Sequence, residues 1–493
     1  MRHVRFGILA ATAMASPLFS QPAPSAPVTR GAPASSALVT RGAPVTLSAS
    51  LRVRAESWDW FDAGAAGEYS YAHALARVAA ARATGRWQWR LEAAVPVLMG
   101  LPDDATLPAP AGQLGLGSTL YAANDSKRNV TGVFVKQAFV RWANAGKSLR
   151  VGRFEFGDGA ERAAADPSLA AVKAQRVGQR LIGPFGFSAV GRAFDGAHFA
   201  ADWRGKNLTL VAASPTAGAF RVDGQPGLNV DMAYAAISRG ARSTTSEQDM
   251  RLFGLWYADD RGRVPTDNRS AAARNADRGR VDVLTVGAHW AAVRKVGAAK
   301  FDVLAWGALQ SGNWGRLDHA AHAAALEAGV QHSALPWGAW LRAGWLQTSG
   351  DDASTDDRHE TFFQVLPTPR VYARFPFYNM MNSSEAFVTV QAKPHARVTL
   401  RAGMHDLRLT EAADLWYLGG GAFDARVFGF TGRASSASTS LATVTDLSIA
   451  WQAHKRVAVE LYGAVARGGA VVKGAYSGSR DARFVYLETT LTR

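Results

Sequence analysis

The chain predicts an all-β fold, a transmembrane antiparallel β-barrel. Side-chain character alternates with a period of two from Thr46 onward. The alternating runs are mostly about 10 residues long, which is what a tilted strand needs to cross a bilayer. The connections between them are alternately short and long, as periplasmic turns and extracellular loops are in such barrels.

The elements follow in chain order. Met1, Arg2, His3 and Arg5 form a small basic region, Phe6 to Ala15 a short apolar one, and Ala13-Met14-Ala15 a small-residue cleavage site. Residues 1–15 therefore read as a secretory signal peptide. Residues 16–44 are rich in Ala, Pro, Ser and Thr and hold a tandem copy, Val28-Thr-Arg-Gly-Ala-Pro33 and Val39-Thr-Arg-Gly-Ala-Pro44. Such a segment cannot bury enough apolar area to offset chain entropy and reads as a disordered leader. Residues 45–493 read as a single barrel.

Within it, Leu47, Ala49, Leu51, Val53 and Ala55 share one face, while Ser48, Ser50, Arg52, Arg54 and Glu56 share the other. Trp87, Trp89, Leu91 and Val95 alternate with Gln88, Arg90 and Glu92, and Val457, Val459 and Leu461 with Ala458 and Glu460. Eighteen segments can be marked in this way: 47–60, 70–82, 86–97, 132–142, 147–156, 196–203, 207–214, 230–239, 249–258, 281–293, 298–311, 322–332, 337–348, 385–393, 396–409, 445–454, 456–467 and 481–493. Short links such as Thr84-Gly85 and Asn144-Ala145-Gly146 contrast with long ones at 98–131, 157–195, 259–280, 349–384 and 410–444. Backbone groups in lipid need internal partners, so a spanning sheet must close on itself. Trp58, Trp60, Tyr69 and Tyr71, near segment ends, are the positions an interfacial aromatic belt would take.

Composition narrows the class. With 493 residues, 48% hydrophobic, two or three ordinary domains would fit as well as one barrel; periodicity selects the barrel, and much of the apolar content is assigned to lipid. Zero Cys excludes a disulfide scaffold and Cys-based zinc sites, and fits a chain crossing an oxidising periplasm. Past the N-terminus there is no apolar run long enough for a helical span. The net charge of +15 implies an anionic partner, and export argues against nucleic acid.

Four stretches resemble the alginate export family of outer-membrane proteins, over about residues 47–493. They are Leu149-Arg-Val-Gly-Arg-Phe-Glu-Phe-Gly-Asp-Gly159; Gly191-Arg-Ala-Phe-Asp-Gly196; Ser349-Gly-Asp-Asp352 with Asp356-Asp357 and Thr361-Phe-Phe-Gln-Val-Leu-Pro-Thr368; and His405-Asp-Leu-Arg-Leu409 with Ala413-Asp-Leu-Trp-Tyr417. The resemblance implies an 18-stranded barrel in the outer membrane of a Gram-negative-type bacterium, and the division into eighteen segments leans on it. It also implies an Arg-lined lumen through which an anionic polysaccharide diffuses out.

If the apolar faces meet lipid, alternation puts Arg52, Arg54, Arg77, Arg90, Arg342, Arg397 and Arg401 in the lumen, with Asp302, Glu327, Glu460, Glu488 and Glu92. Arg153, Glu155 and Arg141 join them if the register of their strands allows. Guanidinium pairs with carboxylates in a planar, bidentate way, so these residues can either conduct an anionic chain or brace the barrel. The expected behaviour is anion selectivity, weakened when Arg52, Arg54 and Arg401 are replaced together.

Two departures from the family stand out. The last strand ends at Arg493, where an aromatic residue is the usual signal to the outer-membrane assembly machinery, and the turn at His454-Lys455-Arg456 is very short where alginate exporters have a long one. Residues 98–131 are long enough for the family's gating loop, so removing 105–125 is expected to raise conductance. Asp351 and Asp352, with Asp356 and Asp357, are a weak Ca²⁺ candidate, since clustered carboxylates suit hard cations, but a solvated acidic loop is the commoner meaning. His319, His322 and His332 fit no metal spacing. No Gly-x-Ser-x-Gly, His-Glu-x-x-His or Walker A sequence is present, so no enzyme and no cofactor are expected.

The chain thus reads as a monomeric outer-membrane channel, in contact with outer-membrane lipids, for an acidic polysaccharide such as an alginate-like polymer. The alternatives are a general porin for small acidic solutes or nutrients and, from another class, a secreted β-rich carbohydrate-binding protein or lyase.

Overall fold

A computed structural model describes residues 44–493 except Asp62, Pro110, Ser477 and Ser479. The signal peptide and all but the last residue of the leader read from the sequence lie outside the described residues. Eighteen long strands form the wall: β1 (Thr46–Asp59), β2 (Glu68–Thr84), β3 (Trp87–Met99), β4 (Phe134–Asn144), β5 (Lys147–Phe154), β6 (Phe194–Trp203), β7 (Lys206–Pro215), β8 (Val230–Arg242), β9 (Ser246–Asp259), β10 (Val281–Val296), β11 (Ala299–Trp314), β12 (Leu317–His332), β13 (Trp340–Thr348), β14 (Ser384–His395), β15 (Val398–Arg408), β16 (Ser440–His454), β17 (Val457–Gly468) and β18 (Asp481–Thr492). Each pairs antiparallel with its sequence neighbours. β1 also pairs with β18, from Ser50↔Thr492 to Asp59↔Arg483, so the sheet is closed and has no edge.

The alternation read from the sequence is the alternation of the wall. Leu47, Val78, Leu91, Leu309 and Leu326 are all more than half exposed on the outer face, as side chains that meet lipid rather than protein would be. Short turns lie at one end, which in outer-membrane barrels is the periplasmic end. Two of them, Ala145-Gly146 and Arg204-Gly205, have positive φ at both positions (47° and 78°; 45° and 75°), the geometry that a tight hairpin needs to match strand twist. The turn Lys455-Arg456 is equally short, as the sequence indicated.

Three local readings change. Trp58, Trp60 and Tyr71 are buried inside rather than set in a belt: Trp58 lies 4.1 Å from the Phe484 ring, and the Tyr71 hydroxyl donates to Glu56 at 2.7 Å. They share the parity of Arg54, so the alternation itself points them inward. Outer aromatics instead sit toward the periplasmic ends of strands, as Trp87, Trp203 and Trp451 do. Next, β11 and β12 run on past the marked segments to a two-residue turn, Gly315-Arg316, so one outer connection is short. Finally, β4 carries a bulge: Gln137 faces Glu92 but Val135 faces Ala93, leaving Lys136 as the extra residue. Lys136 and Gln137 are both buried as a result.

Lipid does not take all the apolar content. Long loops fold into the barrel and meet in an internal aromatic core that includes Phe185, Phe220, Phe363, Phe377 and Trp416. Residues 100–133, with helix α1 (Leu116–Ala123), lie over the extracellular end; there the Arg433 guanidinium donates to the carbonyls of Ala111 and Gln113 at 2.6 Å.

Candidate functional site: the lumen and its inward loops

The segment 155–193 leaves β5 at the extracellular rim and descends the lumen. The Asp158 carboxylate accepts the Leu181 and Ile182 amides at 3.1 and 2.9 Å, folding the loop back on itself. At its tip a short helix, α2 (Pro167–Val172), starts with Asp166 as N-cap and Pro at its first position, both strong start signals. Lys300 donates to Asp166 at 2.9 Å, Gln331 to Ser168 at 2.9 Å, and Glu247 accepts the Asp166 amide at 2.6 Å. Those three partners stand at the periplasmic ends of β11, β12 and β9, so α2 reaches the bottom of the barrel. A cavity of about 400 Å³ opens beside it, lined by Asp166, Glu247, Lys300 and the strand-end residues Arg242 and Lys295.

Buried charge holds this loop to one wall. Asp249 accepts from Lys173 at 2.5 Å and contacts His289 at 3.0 Å and Arg162 at 3.3 Å. Arg251 contacts Glu161 at 3.1 Å, and Arg176 donates to Glu327 at 2.8 Å. Glu327 also pairs with Arg342 at 3.0 Å, and Arg342 with Asp302 at 2.9 Å. Asp249 and Glu327 are each shared between cations, while Glu161 and Asp302 each pair with one arginine and accept a further bond from Tyr234 and Trp340, which is what makes burial of charge tolerable.

The segment 349–383 enters from the other side and pairs with the first at Ile182↔Leu366. It carries Arg370, whose guanidinium lies 4.1 Å over the Tyr486 ring, and Arg374, which donates to Ser448 at 2.9 Å, Tyr486 at 3.0 Å and Glu460. Its base is locked to the neighbouring loop: Asp414 accepts the Thr361 hydroxyl at 2.6 Å, the Tyr417 hydroxyl at 2.7 Å and the Asp351 amide at 3.1 Å. Burial pushes the carboxyls of Asp351 and Asp414 up to about 6, the Asp414 charge adding to the rise at Asp351.

The residues singled out in the sequence now separate. Asp302 and Arg342 are buried in the brace, together with Glu327. Arg52, Arg77, Arg90, Glu155, Arg401 and Glu460 are partly exposed and lie on the opposite wall, β15–β18 and β1–β5. There Arg77 bridges Glu92 at 2.5 Å and Glu155 at 2.8 Å, Arg90 donates to Glu92 at 3.0 Å, and Arg54 donates to Glu488 at 2.8 Å from a buried position. Arg52 donates to the Gly186 carbonyl at 2.5 Å and stands 3.7 Å from Glu488. The Arg401 side chain makes no ion pair or hydrogen bond among the described residues. Arg141 and Arg150 face each other across β4 and β5 on the same inner face.

Two placements are corrected. Arg153 shares the parity of Leu149 and Val151, both exposed on the outer face, and it pairs with Asp195 through 2.7 and 2.6 Å bonds. Past the end of β5 the chain turns, so Glu155 alone faces inward. Arg397 is exposed in the periplasmic turn, where its carbonyl accepts the Gln452 amide at 2.8 Å. The Ca²⁺ candidate also dissolves: Asp351 is buried beside Asp414, Asp352 points to solvent, and no group of three acidic or His side chains among the described residues could hold a metal.

Sequence reasoning missed the loop cations Arg162, Lys173, Arg176, Arg370 and Arg374. The Asp166-Pro167 helix start was a readable signal; the inward course of the loop was not. It also missed the contact between His319 and His359, whose Nδ1 atoms lie 2.9 Å apart.

A ring of eighteen strands, apolar outside and charged inside, with loops turned into its lumen, is an outer-membrane channel of the porin type. The chain belongs to the alginate export family, whose model matches residues 43–486. Solved structures share the fold at low identity. A BenF-like porin from Pseudomonas fluorescens Pf-5 is 9% identical, with a TM-score of 0.56 over 91% of this chain and 99% of that one. OpdK of Pseudomonas aeruginosa is 10% identical, with a TM-score of 0.51 over 90% and 98%. OccK2 (OpdF) of Pseudomonas aeruginosa, solved in complex with glucuronate, is 9% identical, with a TM-score of 0.53 over 91% and 98%. No curated protein matches the chain.

Proposed function

We propose that this channel passes an acidic polysaccharide of the alginate type by diffusion, with selectivity for anions and in the direction of export. One observation carries the reading: the charge on the open wall is unbalanced. Arg52, Arg77, Arg90, Arg141, Arg150, Arg374 and Arg401 are all partly exposed there, while among the described residues on the lumen side of that wall only Glu155 and Glu460 are carboxylates of similar exposure. Guanidinium groups offer planar, bidentate sites for carboxylates, and the few shared acids keep each site weak enough to release its guest. Family membership supports the polymer as cargo, and a single chain closes its own ring, so a monomer suffices.

A second reading, a porin for small acidic solutes, draws on the two inward loops, which narrow the lumen. Planar-bilayer recordings separate the two. Anion-selective current blocked by added polyuronate supports the polymer; anion-selective current indifferent to polyuronate supports the small-solute porin; cation selectivity at neutral pH overturns both.

A further inference from the structure

The outer face of β8–β11 is not evenly filled. An open groove of about 690 Å³ runs up it, walled by Ile237, Met250, Leu252 and Trp290, each more than two-fifths exposed. Its floor is made of small residues, Ala288, Ala305 and Gly307. Ser238, Arg251, His289 and Trp306 lie behind that floor with buried, inward side chains, so the space belongs to the lipid face. At its periplasmic end stand Lys206 and Arg239, directly opposite each other across β7 and β8 and both exposed. Neither makes an ion pair among the described residues. Like charges directly opposite in a sheet repel, and an anion seated between them relieves that cost. Trp203 pairs with Lys206 in register and is 41% exposed, which sets this end of the groove at the headgroup level where outer aromatics lie.

We propose that the groove binds one anionic phospholipid of the periplasmic leaflet, its phosphate between Lys206 and Arg239 and an acyl chain over Ala288, Ala305 and Gly307 beside Trp290. Charge complementarity selects this occupant: a zwitterionic lipid carries its own cation, and a free inorganic anion would leave the apolar channel above the charges empty. The tail contacts are dispersion and area burial, which do not discriminate headgroups, so preference rests on the two cations.

Native mass spectrometry of the intact detergent-solubilised barrel tests this, with phosphatidylglycerol and phosphatidylcholine of matched chains as probes. The first phosphatidylglycerol should bind at least about tenfold more tightly, given about fivefold per cation near an anionic headgroup. The pair Lys206→Ser and Arg239→Ser should erase that preference, while Gly307→Leu should weaken both lipids alike. Equal binding of the two lipids to the wild-type barrel overturns the proposal, as does an unchanged preference in the double variant. Inorganic phosphate that displaces the lipid at equal concentration would assign the cations to a free anion and also overturn it. Should the double variant fail to fold, raised salt on the wild-type protein decides instead: the preference must fall.

Discussion

The Arg176 guanidinium donates to the Glu327 carboxylate at 2.8 Å, tying a loop that begins at the extracellular rim to the lower half of β12. Glu327 keeps Arg342 when Arg176 is removed, so Arg176→Ala should cost about 2 kcal/mol, within the range for a hydrogen bond to a charged group, rather than the larger penalty of an orphaned charge. Thermal or denaturant unfolding of the purified barrel reads the stability loss. Single-channel conductance should rise or become noisy as the loop loosens.

Arg401 has no carboxylate to leave behind, and Arg52 shares Glu488 with Arg54. Arg401→Gln with Arg52→Gln should therefore shift the reversal potential toward zero in a salt gradient while leaving heat-modifiable gel mobility unchanged. Arg54 is a poor choice for this test: its loss takes the arginine from buried Glu56 and leaves Glu488 only the more distant Arg52 at 3.7 Å.

The barrel has two narrowing elements at different depths. Deleting 105–125 strips a cover whose Leu114 carbonyl accepts the Tyr69 hydroxyl at 2.8 Å. Deleting 162–178 removes α2 and its ties to the periplasmic ends of the strands. Both deletions should raise conductance, the second by more; the reverse order would place the constriction at the outer mouth.

The lock between Asp351 and Asp414 depends on pH. Both carboxyls rise from 3.8 to about 6 in the folded protein, so the folded state holds their protons more tightly than the unfolded one. Their stabilisation is therefore full below about pH 4 and is lost as the pH rises through about 6. Amide exchange in 349–361 should be slower at pH 5 than at pH 7.5, after correction for intrinsic exchange, and Asp414→Asn should remove most of that difference.

Strand faces were legible because a wall one residue thick imposes its period on every side chain. Arg52, Arg54, Arg90 and Arg401 could be placed by counting alone. Counting failed where the period breaks: Lys136 shifts the register of β4, and Arg397 lies just outside β15. Trp58 and Trp60 could have been placed inside by the same parity that placed Arg54. The paths of the loops were illegible, since what holds Arg176 is a carboxylate 151 residues away. The motifs quoted for the family resemblance mark the loop ends instead: Asp158 and Asp414 are each the acceptor that closes a fold-back or a lock.

That sequence distance bears on how the molecule is made. Arg176 cannot find Glu327 until β12 has been laid down, and the Arg54–Glu488 pair spans 434 residues across the seam of the ring. Loop-closure entropy must be met before such remote contacts repay it, which makes assembly slow. Early in assembly the ring is an open curved sheet whose central loop has nothing to grip, and that loop can dock only late, after its wall has formed.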